Sequence, residues 1–330
     1  MRTCLARACQ VTWLVGTRTI GPLRGFASIS ALVSAAALVV AAGCSFSVTT
    51  EATVSGDAGI VDAETVDVAM IDGSPDDIDG DGVNNDNDNC PAVTNTAQFD
   101  EDGDMTGDEC DACPQLPATA DHADPDGDKI GNACDPNPGT AGDALAYWNG
   151  FHVASAALPP GFTMIHGSAA RWSVSGGYFV FDALGDDWGM PAVDVAIATH
   201  EIDSVFEIVA TQSGTASAAG VAVDIAANDT DLFECQSRTD TSRREIWRRN
   251  PAAPDGWSSI TGTTVTTPVD TYRLELERTA STLSCSNTRQ GQASIELSGS
   301  DDSNGHTRAG LFARNVDVRF KYIAVYTSPM

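Results

Sequence analysis

Arg308-Ala-Gly-Leu-Phe-Ala313 and Val316-Asp-Val-Arg-Phe-Lys-Tyr-Ile-Ala-Val-Tyr326 decide the fold class of the C-terminal half. Both are rich in β-branched and aromatic residues, and from Val316 to Phe320 apolar and charged side chains alternate, as in a strand with one buried face. Runs of the same kind recur upstream at 171–174, 178–182, 193–198, 204–211, 219–225, 231–237, 245–249, 272–278, 282–286 and 294–298. The first two are joined by a Gly176-Gly177 turn. No helical period lasts ten residues. Short, regularly spaced runs of this composition predict an all-β fold, an antiparallel β-sandwich over 144–330. The breaker cluster at 136–143, with Pro136, Pro138, Gly139 and Gly142, marks a linker in front of it.

Outward of that linker the composition changes. The 330-residue chain carries 18 Lys plus Arg against 46 Asp plus Glu, a net charge of -28. Residues 76–135 hold 18 of those acids and one basic residue, Lys129. So acidic a chain repels phosphate backbones, which excludes nucleic-acid binding as a main function. The large apolar residues of this segment are Ile78, Val83, Val93, Phe99, Met105, Leu116 and Ile130, too few for a core that offsets chain entropy. The segment is either a solvated acidic linker or is ordered by something other than hydrophobic burial.

The spacing of the acids favours the second reading. Asp77, Asp79 and Asp81, then Gly82, with Asp88 at position twelve, have the D-x-D-x-D-G pattern of a calcium loop. Alternate carboxylates let side chains one, three and five converge on one hard cation, and the glycine permits the turn. The pattern returns at Asp100, Asp102 and Asp104, closing at Asp111, and at Asp124, Asp126 and Asp128, closing at Asp135. Around these triplets, Asp88-Asn-Cys90-Pro91, Asn95, Gln98, Gly107-Asp108-Glu109-Cys110-Asp111 and Gly131-Asn-Ala-Cys134-Asp135 resemble the thrombospondin type-3 repeats. The resemblance covers about 60 residues, 77–135. It implies calcium as the cofactor, held by the thirteen aspartates at 77, 79, 81, 88, 100, 102, 104, 108, 111, 124, 126, 128 and 135. It also implies cysteine pairs within each repeat, Cys90 with Cys110 and Cys113 with Cys134. Met105 and Lys129 stand where the family has Gly, and Asn85 and Asn132 where it often has Asp. With Lys129 inside it, the third loop is expected to bind most weakly.

At the N-terminus, Arg2, Arg7, Arg18 and Arg24 precede an apolar run over 29–42 that ends in Ala41-Ala42-Gly43-Cys44. About 14 apolar residues are too few to span a bilayer and fit a secretory signal over 1–43. Small residues before Cys44 resemble the bacterial lipobox, which implies acylation of Cys44 and a lipid anchor in the cell envelope, at the outer membrane. An ordinary signal peptide, with a secreted product, is the alternative. Residues 44–76, acidic and without persistent periodicity, read as a flexible spacer. Nine cysteines, less Cys4, Cys9 and Cys44, leave an even six, as expected of disulfides in an exported chain. By elimination Cys235 pairs with Cys285. A zinc site is poorly supported, since Cys110 and Cys113 have no second ligand pair.

The strands after Gly305 resemble the final strands of concanavalin A-like, laminin G-like jelly rolls. That likeness implies a glycan or a cell-surface partner. Some jelly rolls, the family 16 glycoside hydrolases, place alternate carboxylates on one strand. Here Glu201, Asp203 and Glu207 could share a face, but Val205 interrupts the set and retaining chemistry needs carboxyls about 5 to 5.5 Å apart. A polar turn leading into a strand is the simpler reading, and the chain is expected not to be an enzyme. Trp148, Trp172, Trp188, Trp247 and Trp257 suit either a core or sugar stacking. Asp186, Asp187 and Trp188, in a glycine-bounded loop, are candidates for a binding rim. The cluster Arg243, Arg244, Trp247, Arg248 and Arg249 is either a solvated hairpin or a dock for a polyanion such as the acidic repeat, with Arg244, Trp247 and Arg248 as candidate contacts. The whole reads as a calcium-binding envelope lipoprotein that presents a β-sandwich for binding or adhesion. A carbohydrate-active enzyme of the same fold is the alternative.

Overall fold

The computed structural model describes residues 76–328 apart from 183–187, 196–199, 212–215, 229, 254–255 and 302–304. Among the described residues the regular structure is almost wholly strand. In chain order these are β1 (Ala144–Asn149), β2 (Thr163–His166), β3 (Trp172–Ser175), β4 (Tyr178–Phe181), β5 (Trp188–Asp194), β6 (His200–Thr211), β7 (Ala218–Val223) and β8 (Leu232–Arg238). They continue with β9 (Arg243–Arg249), β10 (Trp257–Thr264), β11 (Thr271–Thr279), β12 (Thr282–Arg289), β13 (Ile295–Ser300), β14 (Arg308–Arg314), β15 (Val316–Phe320) and β16 (Ile323–Thr327). A single 3-10 turn, Ala169–Arg171, precedes β3.

The strands form two antiparallel sheets. One runs β13-β12-β11-β6-β15-β4-β3, with β16 also paired to β6 and β1 to β16; the other runs β10-β9-β8-β7-β14-β5-β2. This is the expected all-β sandwich of jelly-roll type. Its core lies between the sheets, where Trp172, Phe179, Phe181, Phe206, Tyr272 and Phe320 are all at most 1% exposed. Cys235 on β8 and Cys285 on β12 are joined, so the third expected disulfide links one sheet to the other.

The twelve-residue β6 is wide enough to take β15 against its C-terminal half and β16 against its N-terminal half. The run 316–326, expected as one strand, is therefore two. Between them the Ser204 hydroxyl donates to the Tyr322 carbonyl at 2.6 Å, replacing a ladder bond with a side-chain one. The expected runs missed β1, β2 and β10, whose sequences lack sustained alternation of apolar residues, and the run 193–198 meets β5 only at Val193 and Asp194, with 196–198 outside the described residues. Glu201, Asp203 and Glu207 all lie within β6, so the expected polar turn ahead of a strand is corrected: the strand already begins at His200.

Residues 77–135 contain no strand. The Cys90–Cys110 and Cys113–Cys134 disulfides close two successive loops of this segment, as the resemblance implied. Of its large apolar residues only Ile130 is fully buried, while Ile78, Val93 and Met105 are 62%, 41% and 84% exposed.

Acidic loops and an aromatic cavity

The three acidic triplets fold into one repeated loop. Its first aspartate accepts two backbone N–H groups, three and five residues on. Asp77 takes Gly80 N at 2.8 Å and Gly82 N at 3.1 Å, Asp100 takes Gly103 N at 2.8 Å and Met105 N at 3.0 Å, and Asp124 takes Gly127 N at 2.7 Å and Lys129 N at 2.9 Å. The fifth-position aspartates, Asp81, Asp104 and Asp128, each accept from the N–H two residues on. The sixth residue is left-handed in every loop, with φ of 95° at Gly82 and 80° at both Met105 and Lys129. Only backbone is needed there. Met105 and Lys129 turn their side chains to solvent, which corrects the expectation that Lys129 brings its charge into the third loop.

Within each triplet, carboxylate oxygens of the three aspartates come within 4.8 Å of one another. Asp79, Asp102, Asp104, Asp111 and Asp135 each keep one buried oxygen with no hydrogen-bond donor, and Asp126 keeps two. Burial, then its carboxylate neighbours, pushes Asp102 up to about 6. Burial does the same to Asp135, which also rises to about 6 beside Asp143 and Asp128. Asp124 moves the other way, because the Lys129 N–H bond favours its charged form. Buried oxygens without donors cost free energy unless a cation meets them, and an all-oxygen set in loose geometry suits calcium. The residues fit the cofactor that the resemblance implies.

Four residues depart from the expected ligand set. Asp88 belongs to none of the clusters; its Oδ1 accepts Cys90 N at 2.8 Å and Gln98 Nε2 at 2.9 Å. Asp108 belongs to none either. Its Oδ1 accepts Glu101 N at 2.8 Å, and its Oδ2 meets Trp148 Nε1 at 3.3 Å and His152 Nε2 at 3.2 Å, so it docks the repeat on the sandwich rather than facing a cation. His122, not anticipated, joins Asp104 and Asp111, with Nδ1 3.3 Å from Asp111 Oδ1. Asp143, read as the end of a linker, joins Asp128 and Asp135.

The repeat packs on the face of β1 and β16. Cys113, Ile130 and Cys134 form a cluster with Ala324 and Tyr326, against which Leu116, Leu145 and Trp148 pack. Tyr326 OH donates to Gln115 Oε1 at 2.9 Å, Lys321 Nζ lies 2.7 Å from Glu101 Oε1, and His152 stacks on Phe99.

On the outer face of the seven-stranded sheet lies a cavity of about 510 Å³. Trp188, Trp247, Trp257 and His166 form its aromatic walls, and Glu234, Gln236, Arg238 and Arg314 supply polar groups over a floor that includes Ala218 and Phe312. His166 stacks on Trp188 at 3.6 Å, Trp257 meets Trp188 edge-on at 6.0 Å, and the Arg249 guanidinium lies 5.2 Å from both indoles. Of the five candidate tryptophans, Trp172 is core, Trp148 serves the repeat contact and the other three line this cavity.

The arginine cluster does not form one surface patch. Strand alternation along β9 turns Arg244, Ile246 and Arg248 inward, so Arg244 is 2% exposed, donates to Asn287 O at 2.9 Å and lies over the Tyr272 ring. Arg248 bonds Asp231 and Asp301. Neither lines the cavity. Trp247, on the other face, does reach the cavity. The carboxylates of β6 lie on the other sheet, where Asp203, 1% exposed, is held by Arg273 and Tyr322 OH, and Glu207 by Arg319. Asp186, Asp187 and Cys44 lie outside the described residues.

Residues 75–98 match the Thrombospondin type 3 repeat family model. Among curated proteins none matches the chain. Solved structures similar to it include the carbohydrate binding module CBM66 from Bacillus subtilis, with 12% identity, TM-score 0.39, and 50% of this chain and 94% of that chain covered. A glycosyl hydrolase family 16 protein from Mycobacterium smegmatis gives 9%, 0.39, 55% and 100%. The GH43 protein BlXynB from Bacillus licheniformis gives 12% and 0.42; the match covers 61% of this chain but only 43% of that one.

Proposed function

We propose that the protein is an exported, lipid-anchored envelope protein whose acidic repeat binds calcium and whose sandwich binds a glycan without turning it over. The observation that carries the binding reading is the cavity walled by Trp188, Trp247 and Trp257. Flat apolar ring faces beside a few polar groups suit sugar rings, whose C–H faces stack while their hydroxyls hydrogen-bond. Binding is favoured over hydrolysis because Glu234 is the one carboxylate among the described lining residues, whereas glycoside hydrolysis ordinarily uses two.

A glycan and polysaccharide screen of the mature chain, scored for both binding and product release, tests this. Binding without turnover is expected, weakened about tenfold by Trp188→Ala or Trp257→Ala, as for an aromatic anchor. Turnover lost in Glu201→Gln or Glu207→Gln would instead establish the enzyme reading.

Export rests on the segment before Cys44. Mass spectrometry of the mature N-terminus is expected to find a diacylglyceryl-modified Cys44. A free N-terminus downstream of it would make the protein secreted.

A further inference from the structure

We propose that Asp143, which lies outside the repeat, completes a calcium site with Asp128 and Asp135 and thereby ties the third loop to the first strand of the sandwich. This inference rests on the calcium reading above. Oxygens of the three carboxylates lie within 4.8 Å of one another. Asp135 and Asp143 are 8% and 4% exposed, and Asp135 Oδ2 is buried with no donor. Among the described residues no Lys, Arg or His makes an ion pair with any of the three, and the side chain of Lys129 points to solvent. Two buried carboxylates and a half-buried third, without a counter-charge, need a cation.

The first loop supplies an internal parallel. Asn95 N donates to Asp81 Oδ2 at 2.9 Å, as Asp143 N donates to Asp128 Oδ2 at 3.0 Å. Each donor follows the fifth-position aspartate of its loop by nearly the same number of residues, 14 and 15. In the first loop the Asn95 Oδ1 position lies 3.2 Å from Asp88 Oδ1 and 3.3 Å from Asp81 Oδ2. Rotating the amide would not relieve this, because Gln98 Nε2 donates to that oxygen and Asn95 Nδ2 donates to Asn89 Oδ1. Gln98 and Asn89 are themselves fixed by bonds to each other and to Phe99 O. Those bonds hold the Asn95 amide beside both carboxylates of the first loop. Asp143 places a carboxyl group in the corresponding position.

Its position couples the ion to the sandwich. Asp143 directly precedes β1, whose first residue, Ala144, is in register with Thr327 of β16. Asn137 Nδ2 donates to both oxygens of Asp143 and to Ser328 Oγ, which orients the carboxylate.

The test is calorimetric calcium titration of the mature chain, followed by hydrogen exchange of 144–149 and 323–327 with and without calcium. Asp143→Ala is expected to lose one calcium equivalent and the calcium-dependent protection of both strands. Asp143→Asn, which keeps the bonding shape and matches the amide of the first loop, is expected to retain that equivalent roughly tenfold more weakly. Asp79→Ala is expected to weaken calcium binding while leaving the protection of β1 intact. If Asp143→Asn and Asp143→Ala both bind as the parent does and protect β1 alike, the junction site is wrong while the calcium reading stands. A parent chain that binds no calcium overturns the calcium reading itself.

Discussion

Lys129 shows how backbone and side chain divide the work of one loop position. Its N–H is the donor that Asp124 needs, at 2.9 Å, and its φ of 80° is the conformation that a glycine would adopt without cost. An L-residue held there loses about 1 kcal/mol or more, so Lys129→Gly is expected to raise the stability of the calcium-loaded repeat by about 0.5 to 1 kcal/mol in denaturant unfolding. Calcium affinity should change by no more than about threefold, since the ammonium is solvated and screened. A rise well beyond tenfold would mean that the ammonium faces the ion. At this scale the sequence was legible in part. The triplets and their spacing located the loops, because position in a short loop fixes which carboxylates converge. Asp108 looked like a ligand by its place in the motif, yet its oxygens are taken by Glu101 N, Trp148 and His152, and the latter two are 40 and 44 residues away.

Among the elements, β9 carries the sharpest contrast between composition and placement. Four arginines in seven residues read as a surface patch, but the period of two sends Arg244 and Arg248 between the sheets and leaves Trp247 outside. Most other strands were legible because their alternation is strong. Those missed, β1, β2 and β10, gain their regularity from neighbours: β1 from β16, β2 from β5 and β10 from β9. The cavity was legible only as a list of tryptophans, since β2, β5, β9 and β10 are brought together by sheet order rather than by sequence. The Cys235–Cys285 bridge, by contrast, followed from counting. It closes 50 residues of separation between β8 and β12, which face each other across the core. Replacing both cysteines with Ala is expected to lower the stability of the sandwich by about 4 kcal/mol in the chain-entropy account, measured by denaturant unfolding. Stability unchanged within error would mean that the core alone fixes the two sheets.

Across the whole molecule, a segment with almost no core of its own is held by two disulfides, by its loops and by the face of β1 and β16. The contacts that dock it were invisible in sequence because they join distant residues: Gln115 to Tyr326 across 211 positions, Glu101 to Lys321 across 220. A repeat that folded apart from the sandwich would leave the sandwich untouched on chelation, whereas one docked on β1 and β16 shares its fate with the strands it covers. The carboxylates that crowd 77–135 repel one another without a cation and cost little with one. Calcium titration of the mature chain, with protease mapping at each calcium concentration, tests this most directly. Binding heat is predicted at about 0.1 to 1 mM, as for extracellular calcium modules, with cleavage within 77–135 that calcium suppresses and chelation restores. No heat and an unchanged cleavage pattern at millimolar calcium would contradict it.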